Sequence, residues 1–218
     1  LLLDNQFNQN GNITVDGTVA GTQVRLVSRA PLNAAPGGIG TTRGDFPALG
    51  VAAGAAEILT LTNGGIFSFG GAAANPDGST KIINLGAGGG VINVDSGTIY
   101  NMDDAGQITG TGNLTKTGNG RLSFVTSDYN LAGNTITNGG FLDLRANGAS
   151  GTFSGASTHT VNGGVLVNST GILGNGGITL NSGGAIGGAG GDREFGLATG
   201  TTAITLNGGS ILAFDVGS

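Results

Sequence analysis

The chain has no cysteine, which excludes a disulfide framework and any cysteine-based metal site. A long β-rich chain without cysteine fits a protein that crosses an oxidising space unfolded. Charge is scarce as well: 10% of the 218 residues are charged, where about a quarter is usual. Lys and Arg number 8 against 13 Asp and Glu, the formal net charge is −5, and no basic run occurs. Nucleic acid is therefore not an expected partner, because phosphate neutralisation dominates that affinity. No segment approaches the roughly 18 apolar residues of a membrane span. The nearest, GVAAGAAEILTL at 50–61, is short and carries Glu57, so direct membrane insertion by this segment is not expected. Leu1-Leu2-Leu3 is too short for a signal peptide, and the chain reads as a processed product or an excised segment. With 38% apolar residues it buries enough surface to offset the entropy of ordering.

Glycine is what the chain has in excess, at 47 residues. Aligned on the last glycine of each turn, Gly65, Gly90, Gly120, Gly140, Gly164, Gly184 and Gly209 recur every 20 to 30 residues, 24 on average. A period of this size is the signature of a solenoid. Two residues after these glycines stand Phe67, Ile92, Leu122, Leu142, Leu166, Ile186 and Ile211, all large and apolar. Successive strand residues point to opposite faces, so these seven are expected to stack as one buried ladder. The residues that follow them, among them Ser68, Asn93, Ser123 and Asp143, are expected on the solvent face. The period of two excludes a helical solenoid, and Val, Ile, Thr and Phe support strands. The expected fold is all-β: a parallel β-helix of about nine coils of roughly 24 residues.

The corners explain the glycines and the asparagines beside them. A bend between strands calls for positive φ, which glycine supplies freely and asparagine tolerates. Asn63-Gly64-Gly65, Asn138-Gly139-Gly140, Asn162-Gly163-Gly164 and Asn207-Gly208-Gly209 fit that need. Gly17 stands 48 residues before Gly65, which places Val19 on the ladder two coils earlier. Three of the four prolines, Pro31, Pro36 and Pro47, lie in 28–56 without alternation. The chain thus divides into an N-terminal coil region (1–27), an inserted Pro/Gly/Ala-rich loop (28–56) and regular coils (57–218), the coils forming one continuous solenoid. A smaller loop at 70–80 holds Pro76.

Residues 110–124, GTGNLTKTGNGRLSF, followed by Asn134-Thr135-Ile136-Thr137-Asn138-Gly139-Gly140-Phe141-Leu142-Asp143-Leu144, resemble the passenger-associated transport repeat of bacterial autotransporters. The match covers 108–146 and includes Lys116 and both glycine pairs. The resemblance implies a right-handed β-helical passenger, exported through an outer-membrane barrel and displayed at the surface of a Gram-negative cell. Similar repeats occur in large fibre-like surface proteins.

No catalytic, cofactor or metal residue emerges. GTGNLTKTG lacks the adjacent Gly-Lys-Ser/Thr of a phosphate loop and the helix that would follow it. GGAGGDREF at 187–195 has Asp192 where a calcium-binding nonapeptide needs it. Glu194 takes the apolar site, however, and no tandem copy follows, so a polar surface loop is expected. Asp103 and Asp104 form the only acidic pair. A polysaccharide-active enzyme would need a second group across the scissile bond, and a solvated loop is expected instead. His159, the sole histidine, reads as an exposed strand residue, and Tyr100 and Tyr129 as aromatics free to be exposed. The expected function is a non-catalytic extracellular structural or adhesive element with a cell-surface or matrix ligand. The alternatives are a self-assembling subunit of a fibre, sheath or surface layer, associating end to end into filaments, and a β-helical enzyme.

Overall fold

Runs in which apolar and polar residues alternate between glycine turns form strands, and these strands meet their own successors along the chain. The structure, a computed structural model, describes residues 2–4, 12–19, 21–28, 58–71, 82–102, 108–124, 130–144, 152–153, 157–167, 176–187 and 203–213. Their regular elements are strands throughout. In chain order they are β1 (Leu2–Asp4), β2 (Ile13–Asp16), β3 (Gln23–Ser28), β4 (Ile58–Thr62), β5 (Gly65–Gly71), β6 (Ile82–Leu85) and β7 (Gly90–Val94). There follow β8 (Ile99–Met102), β9 (Ile108–Gly110), β10 (Leu114–Thr117), β11 (Arg121–Phe124), β12 (Asn130–Leu131), β13 (Thr135–Thr137) and β14 (Phe141–Asp143). The last seven are β15 (Thr152–Phe153), β16 (His159–Val161), β17 (Gly164–Val167), β18 (Ile178–Leu180), β19 (Gly184–Gly187), β20 (Ile204–Leu206) and β21 (Ile211–Ala213).

These strands build an all-β parallel β-solenoid. One sheet has nine strands, ordered β1-β3-β5-β7-β10-β13-β16-β18-β20. A second has six (β8, β11, β14, β17, β19, β21), and a third has six (β2, β4, β6, β9, β12, β15). In the middle of the stack the chain visits the nine-stranded, second and third sheets in turn. Every pairing between strands is parallel. The loop expected at 28–56 lies, apart from Ser28, outside the described residues. On either side of it β2 pairs with β4 and β3 with β5.

The core is one cluster running along the axis, with Leu61, Leu85, Phe67, Ile92, Leu122, Leu142, Leu166 and Ile186 all buried. They do not form a single ladder. Phe67 and Ile92 stack on the nine-stranded sheet, where Ile92 continues to Lys116. Leu122, Leu142, Leu166 and Ile186 stack on the second sheet, beginning at Tyr100. The 30-residue gap from Gly90 to Gly120 is the place where the glycine alignment passes from one sheet to the other.

The seventh residue, Ile211, is not in the ladder: it is 56% exposed and pairs with Ala185, while Leu212 pairs with Ile186. The cause is a slip of one residue at the turn. The Gly183 N–H donates to the Gly209 carbonyl, so Gly209 is the counterpart of Gly183 rather than of Gly184. The N-terminal assignment shifts for a related reason. The Gly17 N–H donates to the Thr62 carbonyl, which puts Gly17 in the adjacent coil, and Val19 is 64% exposed. Val15 and Val24 occupy the buried positions instead.

The corner glycines meet two different constraints. Gly140, Gly164 and Gly209 have positive φ, whereas Gly65, Gly90, Gly120 and Gly184 do not. At Gly65 the constraint is close approach, because a Cβ there would stand 2.1 Å from the Val15 carbonyl oxygen of the neighbouring coil. Nor do the corner asparagines share one backbone state: among the described residues only Asn63, at φ 52°, is a non-glycine residue with positive φ.

Alternation assigns faces correctly on the second sheet, yet its outer face is not uniformly wet. Ser123, Asp143 and Val167 alternate with the ladder and are all buried, as is Ser68 on the nine-stranded sheet. Arg121 reaches Asp143 from the preceding coil, with Nη1 3.3 Å from Oδ2. Asp143 is therefore a buried partner rather than a solvated surface residue. Leu142→Ala should cost about 2–5 kcal/mol and Asp143→Asn about 1–3 kcal/mol, since it weakens a bond to a charged group. Ile211→Ala should stay within about 0.5 kcal/mol. Urea denaturation of the three variants checks the register, and an Ile211 effect equal to that of Leu142 would refute it.

Candidate functional site

Midway along the nine-stranded sheet the apolar ladder gives way to polar side chains. Lys116 of β10 lies between Ile92 and Thr137, and Thr135 of β13 lies beside His159 of β16. All four polar side chains are buried. The glycine turn after β10 aims carbonyls inward, and the Lys116 ammonium answers them. Nζ donates to the Thr117, Gly118 and Gly139 oxygens at 2.6, 2.9 and 3.2 Å. Gly139 belongs to the next coil, so one lysine ties two turns together. Its removal from water pushes the amine down to about 8.

His159, expected at the surface, is 1% exposed. It takes an inward position between Thr135 and Ile178, and its Nδ1 lies 2.8 Å from the Thr135 hydroxyl oxygen. Burial lowers the imidazole to about 4, so the ring is neutral near pH 7. The neutral imidazole is buried on the inward face, beside Thr135 and Ile178 of the adjacent strands. It acts as a packed, hydrogen-bonded core side chain.

Two arginine–carboxylate pairs lie on the outward side of the sheets. The Arg121 guanidinium lies 5.1 Å from the centre of the Phe141 ring while bonding Asp143, so ring and carboxylate fix its direction. Nearer the N-terminus, Arg25 pairs with Asp95. Asn93 Nδ2 donates to the same carboxylate at 3.0 Å.

Along the edge of the nine-stranded sheet runs an asparagine ladder. Asn162, Asn181 and Asn207 each donate from Nδ2 to the Oδ1 of the asparagine one coil earlier, at 2.9, 2.6 and 2.6 Å, beginning at Asn138. A second set of asparagines caps strand starts: the Asn134 N–H donates to Asn113 Oδ1 and the Thr158 N–H to Asn134 Oδ1. Beside the ladder, two residues earlier on each strand, is an outward row paired in the order Thr115, Ile136, Thr160, Thr179, Thr205. The sequence showed Asn138, Asn162 and Asn207 at Asn-Gly-Gly turns but not Asn181; an asparagine at the head of each glycine turn was the available signal for the ladder.

Tyr100 is buried, its ring centre 5.5 Å from Phe67 and 4.9 Å from Phe69. Asp103, Asp104, Tyr129, Asp192 and Glu194 lie outside the described residues. Among the described residues no three His, Cys, Asp or Glu side chains converge as metal ligands. No helix there is long and apolar enough to cross a membrane. Comparison with protein-family models, with curated proteins and with solved structures finds no match to the chain.

The two buried bases give stability a defined pH dependence. The unfolded histidine, at its ordinary 6.5, takes up a proton before the folded one at about 4. Acidification through that window therefore favours unfolding. For lysine the unfolded chain holds a proton between about 8 and 10.5 that the folded chain has released, so this group makes stability rise with pH there. The urea midpoint should fall as pH drops from 6.5 toward 4, with a shallower fall in His159→Gln. Equal slopes in the two proteins would assign the acid limb to carboxylates alone.

Proposed function

We propose that the chain is a non-catalytic structural or adhesive segment of a bacterial extracellular surface protein, similar to an autotransporter passenger. In this reading it forms a right-handed parallel β-helix of about nine coils, displayed at a Gram-negative surface toward a cell-surface or matrix ligand. The nine strands of the largest sheet support the coil count, and the handedness follows the strong preference of parallel crossovers. One observation carries the reading: the reactive side chains of the described residues hold coil to coil. Lys116 ties adjacent turns, His159 bonds Thr135, and Arg121 and Arg25 pair with carboxylates on other coils. Such an array adds coils one at a time with the same contacts, which suits a chain that folds as it emerges from a membrane.

Fused to an unrelated outer-membrane translocator barrel, the chain should reach the cell surface and resist external protease as a folded unit. Failure to appear there, while a control passenger does, would count against export. Detectable cleavage of acidic polysaccharide, abolished by Asp103→Asn with Asp104→Asn, would establish the enzyme alternative.

A second reading is a self-assembling fibre or surface-layer subunit, and it turns on the last described rung. Leu206 continues the ladder from Leu180 yet is 51% exposed. Strand edges with open N–H and C=O groups template further strands, and either a continuation of the chain or a coil of a second copy would cover this one. The purified 218-residue chain should show a mass that rises with concentration in sedimentation, and Leu206→Asp should suppress the rise. A folded species of constant monomer mass at high concentration would remove this reading.

A further inference from the structure

From β10 to β20 the outer face of the nine-stranded sheet carries two rows of side chains: the asparagine ladder, and the row Thr115, Ile136, Thr160, Thr179 and Thr205, in which threonine predominates. Parallel hydrogen bonding spaces each row at about 4.8 Å from coil to coil, and two residues along a strand separate the rows by about 6.5 Å. From β10 to β20 neither row contains a charged residue or an aromatic ring. Thr205 is exposed, and Thr115, Ile136, Thr160 and Thr179 are half-buried. The threonines are stiff at χ1, and the amides are tied to one another along the ladder. The result is a rigid, uncharged grid of hydroxyl, methyl and amide groups that repeats in two directions.

We propose that this grid is a binding face for ice. A ligand matched to the whole face must itself repeat in two directions at these spacings. Water oxygens on the faces of an ice crystal repeat in two directions, one interval being close to the coil spacing and the other wider than it. A threonine hydroxyl takes the place of a lattice water, and its methyl group favours an ordered water shell around it. Fixed charges would impose their own hydration, and none interrupts the grid. A crystalline polysaccharide would call for aromatic platforms, which both rows lack. This assignment goes beyond the structural reading and does not depend on the route of export.

The test uses the purified 218-residue chain in supercooled buffer. It should shape growing ice crystals, slow their recrystallisation and, when fluorescently labelled, enter a growing ice hemisphere. Thr160→Lys combined with Thr179→Lys should reduce these effects several-fold while the circular dichroism spectrum and urea midpoint stay near those of the parent. Thr60→Lys, on the outer face of the third sheet beside Thr14 and Asn84, should leave them intact. A folded parent chain that neither shapes nor enters ice overturns the proposal, as does an equal loss in Thr60→Lys. Self-association abolished by Thr160→Lys without any ice activity would give the face to a second copy. Sedimentation with crystalline cellulose or chitin without ice activity would give it to a polysaccharide.

Discussion

The hydrogen bonds that run from each coil to the next place every residue beside its counterpart one turn earlier, and the rest of the molecule follows from that register. Because the pairing is parallel, like stacks on like: leucine on leucine in the second sheet, asparagine on asparagine at its corner. Where two turns come nearest, glycine is required for a steric reason. A Cβ at Gly120 would lie 2.2 Å from the Asp95 carbonyl oxygen, and one at Gly184 would lie 2.2 Å from that of Val161. The turn residues are thus set by contact between coils as much as by the bend within one.

Polar residues inside the stack obey the same rule. A solenoid interior aims some turn carbonyls away from water, and each one buried without a donor costs free energy. Lys116 supplies three donors at once, and its long apolar stem lies where an aliphatic ladder residue would otherwise be. One strand further on, the Thr135 hydroxyl and His159 Nδ1 share a hydrogen bond. The interior tolerates the two bases in different ways: the His159 imidazole, lowered to about 4, is neutral near pH 7, whereas the Lys116 ammonium, lowered only to about 8, keeps its proton among three carbonyls.

On the outside, repetition becomes a surface property. A single threonine facing water carries little information, but the same residue type recurring at the coil spacing makes a lattice. The second sheet is different in kind. Its outer rows combine Arg121, Phe141 and a buried carboxylate, an arrangement fixed by pairwise contacts rather than by repetition. One solenoid thus presents an uncharged periodic stretch, from β10 to β20 of the nine-stranded sheet, and a locally specific face on the second sheet.

The sequence by itself determined the solenoid class, the strand content and most of the core, because period two and a recurrent glycine turn leave few other ways to bury Phe67, Ile92, Leu122, Leu142, Leu166 and Ile186. It did not show that these six belong to two sheets, since a glycine alignment carries no label for the side of the coil. Counting from the last glycine also missed the slip at Gly209, visible only when Gly183 and Gly209 pair across coils. Of the candidate site, most of the asparagine positions were legible, but their ladder was not. The burial of His159, Lys116 and Asp143 was decided by tertiary structure. Alternation says which face a side chain takes, whereas the neighbouring coils and the groups packed on them decide whether that face meets water.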